Sequence, residues 1–239
     1  MQKINLPGMN LTDYSLRESI SITDRFLGSG SLNTVLFISA KILVGAGTFA
    51  EWKTWIGDAD LIIWSDPEIV RQAGIRAKDR IHEVENQEYI KAVLKRLGKG
   101  KKALYLLAES EEELEKLEAD LKLLREDLTF AGRGVISGIQ EEWDDEANRI
   151  NAISPVAIIS RIQFERQGKL MDRMKKILNA DIWLALDYQM VPGGRKVPFL
   201  KKLLSKWYHH LFQRQMTEYY HAKEKERNEG TKADGSDSE

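Results

Sequence analysis

Asp66 is the first residue to consider for chemistry. It follows the apolar run Leu61-Ile62-Ile63-Trp64 and Ser65, so it projects at the carboxyl end of a strand, where open α/β sheets bind ligands. A carboxylate held there can take a proton from a bound hydroxyl. Ser65-Asp66-Pro67-Glu68 also reads as a helix start, with Ser65 or Asp66 as cap and Pro67 in the first turn, and the two roles are compatible. Arg161, Arg166, Arg195 and Lys196 follow strand ends or sit in a glycine-rich turn, which makes them candidate phosphate partners, although each alone also reads as a surface charge. Gln163 and Glu165 either bond ligand hydroxyls or begin a helix, where the dipole favours acid. Gly132-Arg133-Gly134 would let backbone approach a ligand closely, a pattern also common in turns. Asp58-Ala59-Asp60 has the letters of a metal pair but stands at the start of a strand, the wrong end, and reads as loop and strand start. His209 and His210 are adjacent and point apart on a helix, so a metal site with His221 is not expected.

The elements that must position these residues alternate from about residue 30 to 190, short apolar runs with amphipathic stretches, the pattern of strand–helix units feeding a mainly parallel sheet. Strands are expected at Asn33 to Ile38, Asp60 to Trp64, Ala103 to Leu107, Leu128 to Ala131, Val156 to Ser160 and Ile182 to Leu186. Each is apolar on both faces, as a strand covered on both sides should be. Ser110 with Glu113 forms a capping box for a helix through Leu114, Leu117, Leu121 and Leu124. Further helices are expected over Gly138 to Ala152 and Phe164 to Leu178, and after the Pro192-Gly193-Gly194 turn over Lys196 to Lys225. The pattern divides the chain into an α/β domain (1–192), a basic amphipathic appendage (193–226) and a disordered tail (227–239) without apolar anchors.

Composition narrows the classes. With 239 residues and no cysteine, the chain can build a core without disulfides, thiolate metal sites or cysteine nucleophiles. Its 36 basic and 37 acidic residues leave no global basic field, which argues against nucleic acid as partner. Met1 to Asn10 reads as neither signal peptide nor membrane span. The segment Arg195 to Lys225 carries eight Lys or Arg against two Glu. Lys201, Lys202, Lys206 and Arg214 alternate there with Trp207, Tyr208, Leu203, Leu204, Leu211 and Phe212. This is the make-up of a helix lying on an anionic membrane, or of one packing its leucine face on the core.

The order of segments resembles the WecG/TagA/CpsF glycosyltransferases over roughly residues 3 to 220. Asn5 to Thr12 resembles the family's opening strand and turn, Val35 to Val44 its first deep strand and helix start, and Asp58 to Asp66 the next strand with its terminal acid. Glu146-Ala147-Asn148-Arg149-Ile150-Asn151-Ala152-Ile153-Ser154-Pro155 is the closest local likeness, and it leads into the position of the family's glycine-proline-glutamine-glutamate loop. Here that loop reads Ser160-Arg161-Ile162-Gln163-Phe164-Glu165. Phe37 and Ser39 stand where the family has threonine and asparagine, Glu83-Val84-Glu85 where it has glycine-serine-aspartate, and Arg195 to Pro198 resembles its arginine-alanine-proline segment. Lys206-Trp207-Tyr208 resembles its glutamate-tryptophan segment, with His210 where an arginine is usual.

The resemblance implies a Rossmann-like fold with a C-terminal helical appendage, and Asp66 as general base toward an acceptor sugar hydroxyl. Ser39, Glu85, Gln163, Glu165, Arg195 and Lys196 are its implied substrate-binding residues. It implies an inverting hexosyltransferase that needs neither metal nor cofactor. The implied donor is a nucleotide sugar, UDP-linked by precedent, and the acceptor a lipid-linked saccharide of exopolysaccharide, capsule or teichoic acid synthesis. The protein would sit on the inner face of the cell membrane through its C-terminal helix; self-association or a partner glycosyltransferase stays open. A second reading is a catalytically silent relative acting as a binding or assembly subunit, favoured by Phe37, Ser39, Ile162 and Phe164 at positions where the family's polar ligands would bind the transition state. A plain nucleotide-binding protein is a third, but the chain has neither a Walker A loop nor a GxGxxG fingerprint.

Overall fold

The computed structural model describes residues 2–6, 8–136, 138–139, 142–190 and 199–233, the side chains of the last segment over 205–225. Two short strands, β1 (Gln2–Leu6) and β2 (Met9–Asp13), form an antiparallel hairpin whose Ile4, Leu6 and Leu11 turn into the core. Helix α1 (Leu16–Phe26) begins at a capping box in which Ser15 and Glu18 satisfy each other's backbone N–H. There follow β3 (Asn33–Ile38), α2 (Ala40–Thr48), α3 (Ala50–Gly57), β4 (Leu61–Trp64), α4 (Pro67–Gln72), α5 (Lys78–Glu85), α6 (Glu88–Lys99) and β5 (Ala103–Ala108). The chain continues through α7 (Glu111–Leu124), β6 (Thr129–Val135), α8 (Trp143–Ile153), β7 (Ala157–Arg161), α9 (Phe164–Met174), β8 (Ile182–Leu186) and α10 (Phe199–Ala233). Every strand expected from the apolar runs is present. Helix α9 ends at Met174, short of the expected Leu178, and α10 continues past residue 226.

Strands β3 to β8 make one parallel six-stranded sheet in the order β4-β3-β8-β7-β5-β6. Because side chains alternate along a strand, the sheet feeds two separate cores. Leu36, Ile38, Trp64, Tyr105, Leu107, Ile158 and Trp183 pack on one side with α2, α3, α4, α8, α9 and α10. Val35, Phe37, Ile63, Leu104, Leu106, Ile159 and Leu184 pack on the other with α1, α6 and α7. This double coverage is why the inner strands read as continuous apolar runs, whereas the edge strand β6 is largely exposed, contrary to the expectation for it. Ser110 caps α7 by accepting from the Glu113 N–H at 3.2 Å, and Leu114, Leu117 and Leu121 below it are fully buried, as the spacing requires.

The topology marks where a ligand belongs. From β5 the chain moves outward to β6, whereas from β7 it moves inward to β8. The carboxyl ends of these neighbours therefore bound a crevice at a topological switch point. Strands β4, β3 and β8, adjacent in the sheet, end on the same edge.

Candidate functional site

At the ends of β4, β3 and β8, short polar residues follow directly on buried apolar ones. Ser39 follows β3, Ser65 and Asp66 follow β4, and Asp187 follows β8. The Ser65 hydroxyl donates to Asp187 Oδ2 at 3.2 Å, and the Gln189 N–H donates to Asp187 Oδ1 at 2.9 Å. Asp187 is buried, and burial pushes its carboxyl above the ordinary aspartate range against the opposing pull of Ser39, the Gln189 N–H, Ser65 and the Lys41 charge. Ser39 starts α2, and its buried hydroxyl faces this carboxyl without a well-formed hydrogen bond. Asp187 carries the same signal as Asp66, an acid directly after an apolar strand, yet it is absent from the residues expected from sequence.

Asp66 caps α4. Its Oδ1 accepts from the Glu68 N–H at 3.0 Å, with Pro67 in the first turn, so the capping half of the expectation holds. Its Oδ2 accepts from His209 Nε2 of α10 at 2.6 Å. That hydrogen bond raises the His209 pKa above its ordinary value, against the opposing effect of burial. Helix α10 lies along α2 and α4. Phe212 and Met216 are buried in the core, Lys41 Nζ stands 5.8 Å from the Tyr208 ring centre, and Gln213 donates to Glu68 at 2.9 Å. His209 and His210 do diverge: His209 reaches Asp66, whereas His210 is exposed.

Gln163 and Glu165 line a second, polar cavity of about 230 Å³ with Glu109, Arg166, Lys169, Trp143 and Gly138. It sits at the switch point between β5 and β7. Arg166 pairs with Glu109 at 3.1 Å and Lys169 with Glu165 at 2.7 Å, so the cavity wall carries both signs of charge. A larger groove, about 820 Å³ along Thr34, Trp55 and Lys175, opens at the opposite edge, where Lys175 is committed to Asp60 at 2.9 Å. Asp60 is accordingly a strand-start anchor, as expected. Burial opposes its ionisation, yet the Thr34 N–H and hydroxyl and the Lys175 ammonium hold its carboxyl below the usual range.

Two sequence expectations are corrected. Arg161 is not a surface charge: it is buried and pairs with Asp120 of α7 at 2.7 Å, because its strand position turns it toward the α7 side of the sheet. Gly132 and Gly134 serve internal packing. A Cβ at Gly132 would meet the Tyr105 ring at 2.4 Å, and one at Gly134 would meet Glu146 Oε1 at 1.8 Å. Glu85 is engaged with Arg71, on the exposed side of α4 and α5. Arg195 and Lys196 lie outside the described residues. Among the described residues, no group of three or more His, Asp or Glu could hold a metal ion.

Residues 4–188 match the glycosyl transferase WecG/TagA/CpsF family. The chain belongs to this family. The matched span runs from β1 to just past Asp187, taking in Ser39, Asp66, Gln163 and Glu165 and leaving α10 with His209 beyond it. No curated protein matches the chain. WecG/TagA/CpsF membership makes it a glycosyltransferase by family, consistent with cell-surface polysaccharide synthesis. No helix among the described residues is long and apolar enough to cross a membrane.

Proposed function

We propose that this WecG/TagA/CpsF chain moves a hexose or N-acetylhexosamine from a UDP-linked sugar to a lipid-linked acceptor in exopolysaccharide, capsule or teichoic acid synthesis. The observation that carries the reading is the match over residues 4–188 together with an acid cluster at the carboxyl edge of its sheet. Asp66 lies at the acid–base centre where the acceptor hydroxyl gives up its proton. Gln163 and Glu165, at the switch-point cavity, bond sugar hydroxyls, and Arg195 and Lys196 offset the donor's diphosphate charge. The anomeric centre inverts, and the reaction needs no metal. The protein works at the inner face of the cell membrane, with α10 toward the lipid surface.

Titrating the protein with UDP and a panel of UDP-sugars by calorimetry, without added metal and beside Asp66→Asn, tests this. Selective binding of one sugar nucleotide, with turnover lost in the variant, supports the transferase. Two observations favour a silent relative instead. Phe37 and Ile162 are buried within the two cores, and Phe164 packs on Trp52 with ring centres 4.9 Å apart, so none of the three offers a polar group. Failure of every donor to bind would select that reading.

A further inference from the structure

The Asp66–His209 contact deepens the transferase reading, and the role inferred for it rests on that reading. Both oxygens of Asp66 are in use, Oδ1 by the Glu68 N–H at 3.0 Å and Oδ2 by His209 Nε2 at 2.6 Å. The Asp66 side chain is 12% exposed and that of His209 30%. An acceptor arriving from solvent therefore meets the imidazole more readily than the carboxylate. A carboxylate bonded to one ring nitrogen keeps the proton there and leaves the other nitrogen as the acceptor. Here the held nitrogen is Nε2, which also has the Ser205 hydroxyl at 3.4 Å, and Nδ1 has no hydrogen-bond partner among the described residues.

We propose that His209 takes the proton of the acceptor hydroxyl on Nδ1, while Asp66 stays ionised, orients the ring and stabilises the imidazolium. In the transfer, the acceptor oxygen bonds to the anomeric carbon as the bond from that carbon to the diphosphate oxygen breaks. The nucleoside diphosphate leaves with the electron pair, and the hydroxyl proton goes to His209. The residue comes from α10, outside the span that matches the family.

Among the described residues, the charges around His209 are those of Asp66, Glu68 and Arg71 on α4 and Lys41 on α2, which sits over the neighbouring Tyr208 ring. On α10 itself, the adjacent Lys206 and His210 are exposed. Arg71 is paired with Glu68 and Glu85, which blunts its repulsion of an imidazolium. Since the carboxylates hold the His209 pKa above its ordinary value, turnover should fall as acidification through that value charges the ring and removes the acceptor.

The test compares native protein, His209→Gln and Asp66→Asn across the titration range of histidine, using the nucleotide sugar that the calorimetric panel selects. Glutamine keeps a donor for Asp66 and with it the seat of α10, but cannot accept the proton. Turnover in His209→Gln should fall about a hundredfold or more, with the donor KM little changed and the acidic limb of the pH profile gone. Hydrogen exchange around Phe212 and Met216 should match native. By NMR, the His209 ring should titrate at lower pH in Asp66→Asn than in native protein; this needs no turnover and decides the case in which His209→Gln unseats α10. A native acidic limb and native turnover in His209→Gln would overturn the proposal and return the proton to Asp66. An unchanged ring titration in Asp66→Asn would overturn it too, since no pair would then exist in solution. A native protein that binds and turns over no nucleotide sugar would instead sink the transferase reading, and the role of His209 with it.

Discussion

The Ser65 hydroxyl donates to the Asp187 carboxylate at 3.2 Å, joining the end of β4 to the end of β8 across the intervening β3. The contact ties two strand ends around a buried carboxyl whose pKa burial raises. An unfolded aspartate titrates at about 3.9, so between that value and the raised folded one the native state holds more protons than the unfolded state. Stability contributed by this group is therefore present at acidic pH and is lost as pH rises through the folded value. Asp187→Asn keeps an acceptor for the Gln189 N–H and does not titrate. The variant should gain on native protein in urea midpoint between acidic and neutral pH. Parallel pH dependences of the two proteins would show that the carboxyl is not desolvated.

Arg161 illustrates a charge removed from the ligand side. Its guanidinium and the Asp120 carboxylate are both nearly fully buried and bond at 2.7 Å, with Glu113 at 3.6 Å. Removing one partner strands the other in low dielectric, at a cost of roughly 3–5 kcal/mol. Arg161→Ala should lose about that much unfolding free energy in denaturant titrations, and Arg161→Met with Asp120→Leu should recover much of it. Folded Arg161→Ala protein should bind a nucleotide sugar as native protein does. A selective loss of donor affinity at native stability would restore the phosphate role.

Much of the fold was legible because it is written locally. Strands buried on both faces give unbroken runs such as Leu104-Tyr105-Leu106-Leu107, and Ser110 with the leucine spacing after it announces α7. Asp66 was legible both as cap and as strand-end acid for the same reason. What stayed hidden depends on partners far along the chain. His209 reaches Asp66 across 143 positions, and only the packing of α10 on α2 and α4 brings it there. Arg161 meets Asp120 across 41 positions, so its letter could not tell a ligand contact from an internal pair. Phe37, where the resemblance leads one to expect a polar ligand, packs against Tyr89 of α6, with ring centres 5.8 Å apart, because its strand position faces the α1, α6 and α7 core.

The glycines of β6 make a prediction that separates packing from ligand approach. Glu146 of α8 is buried against Gly134 and accepts from the Tyr105 hydroxyl at 2.8 Å, with Arg149 completing the group. A methyl at residue 134 has to displace that carboxylate. Gly134→Ala should lower stability by about 1–3 kcal/mol, read from the thermal or urea midpoint, while donor binding by the folded protein stays native. Reduced donor affinity with an unmoved midpoint would mean that the glycine serves a ligand.

The C-terminal helix supplies a final test, of membrane contact. Phe212 and Met216 are consumed by the core, so the apolar side of α10 near them is not free for lipid. Trp207 is 55% exposed and Lys206 beside it is also exposed, so this end of α10, over its first described side chains, offers a surface to anionic headgroups. A basic residue near such a surface contributes about 1 kcal/mol, roughly fivefold in partition. Lys206→Glu reverses the charge and so should weaken binding to anionic vesicles by more than that, with a smaller effect in high salt. Trp207→Ala should weaken it independently of salt, through lost apolar contact. Both changes leave Phe212, Met216 and the His209 seat untouched, so the unfolding midpoint should not move. Vesicle binding equal to native in the double variant would exclude this end of α10 as the membrane contact.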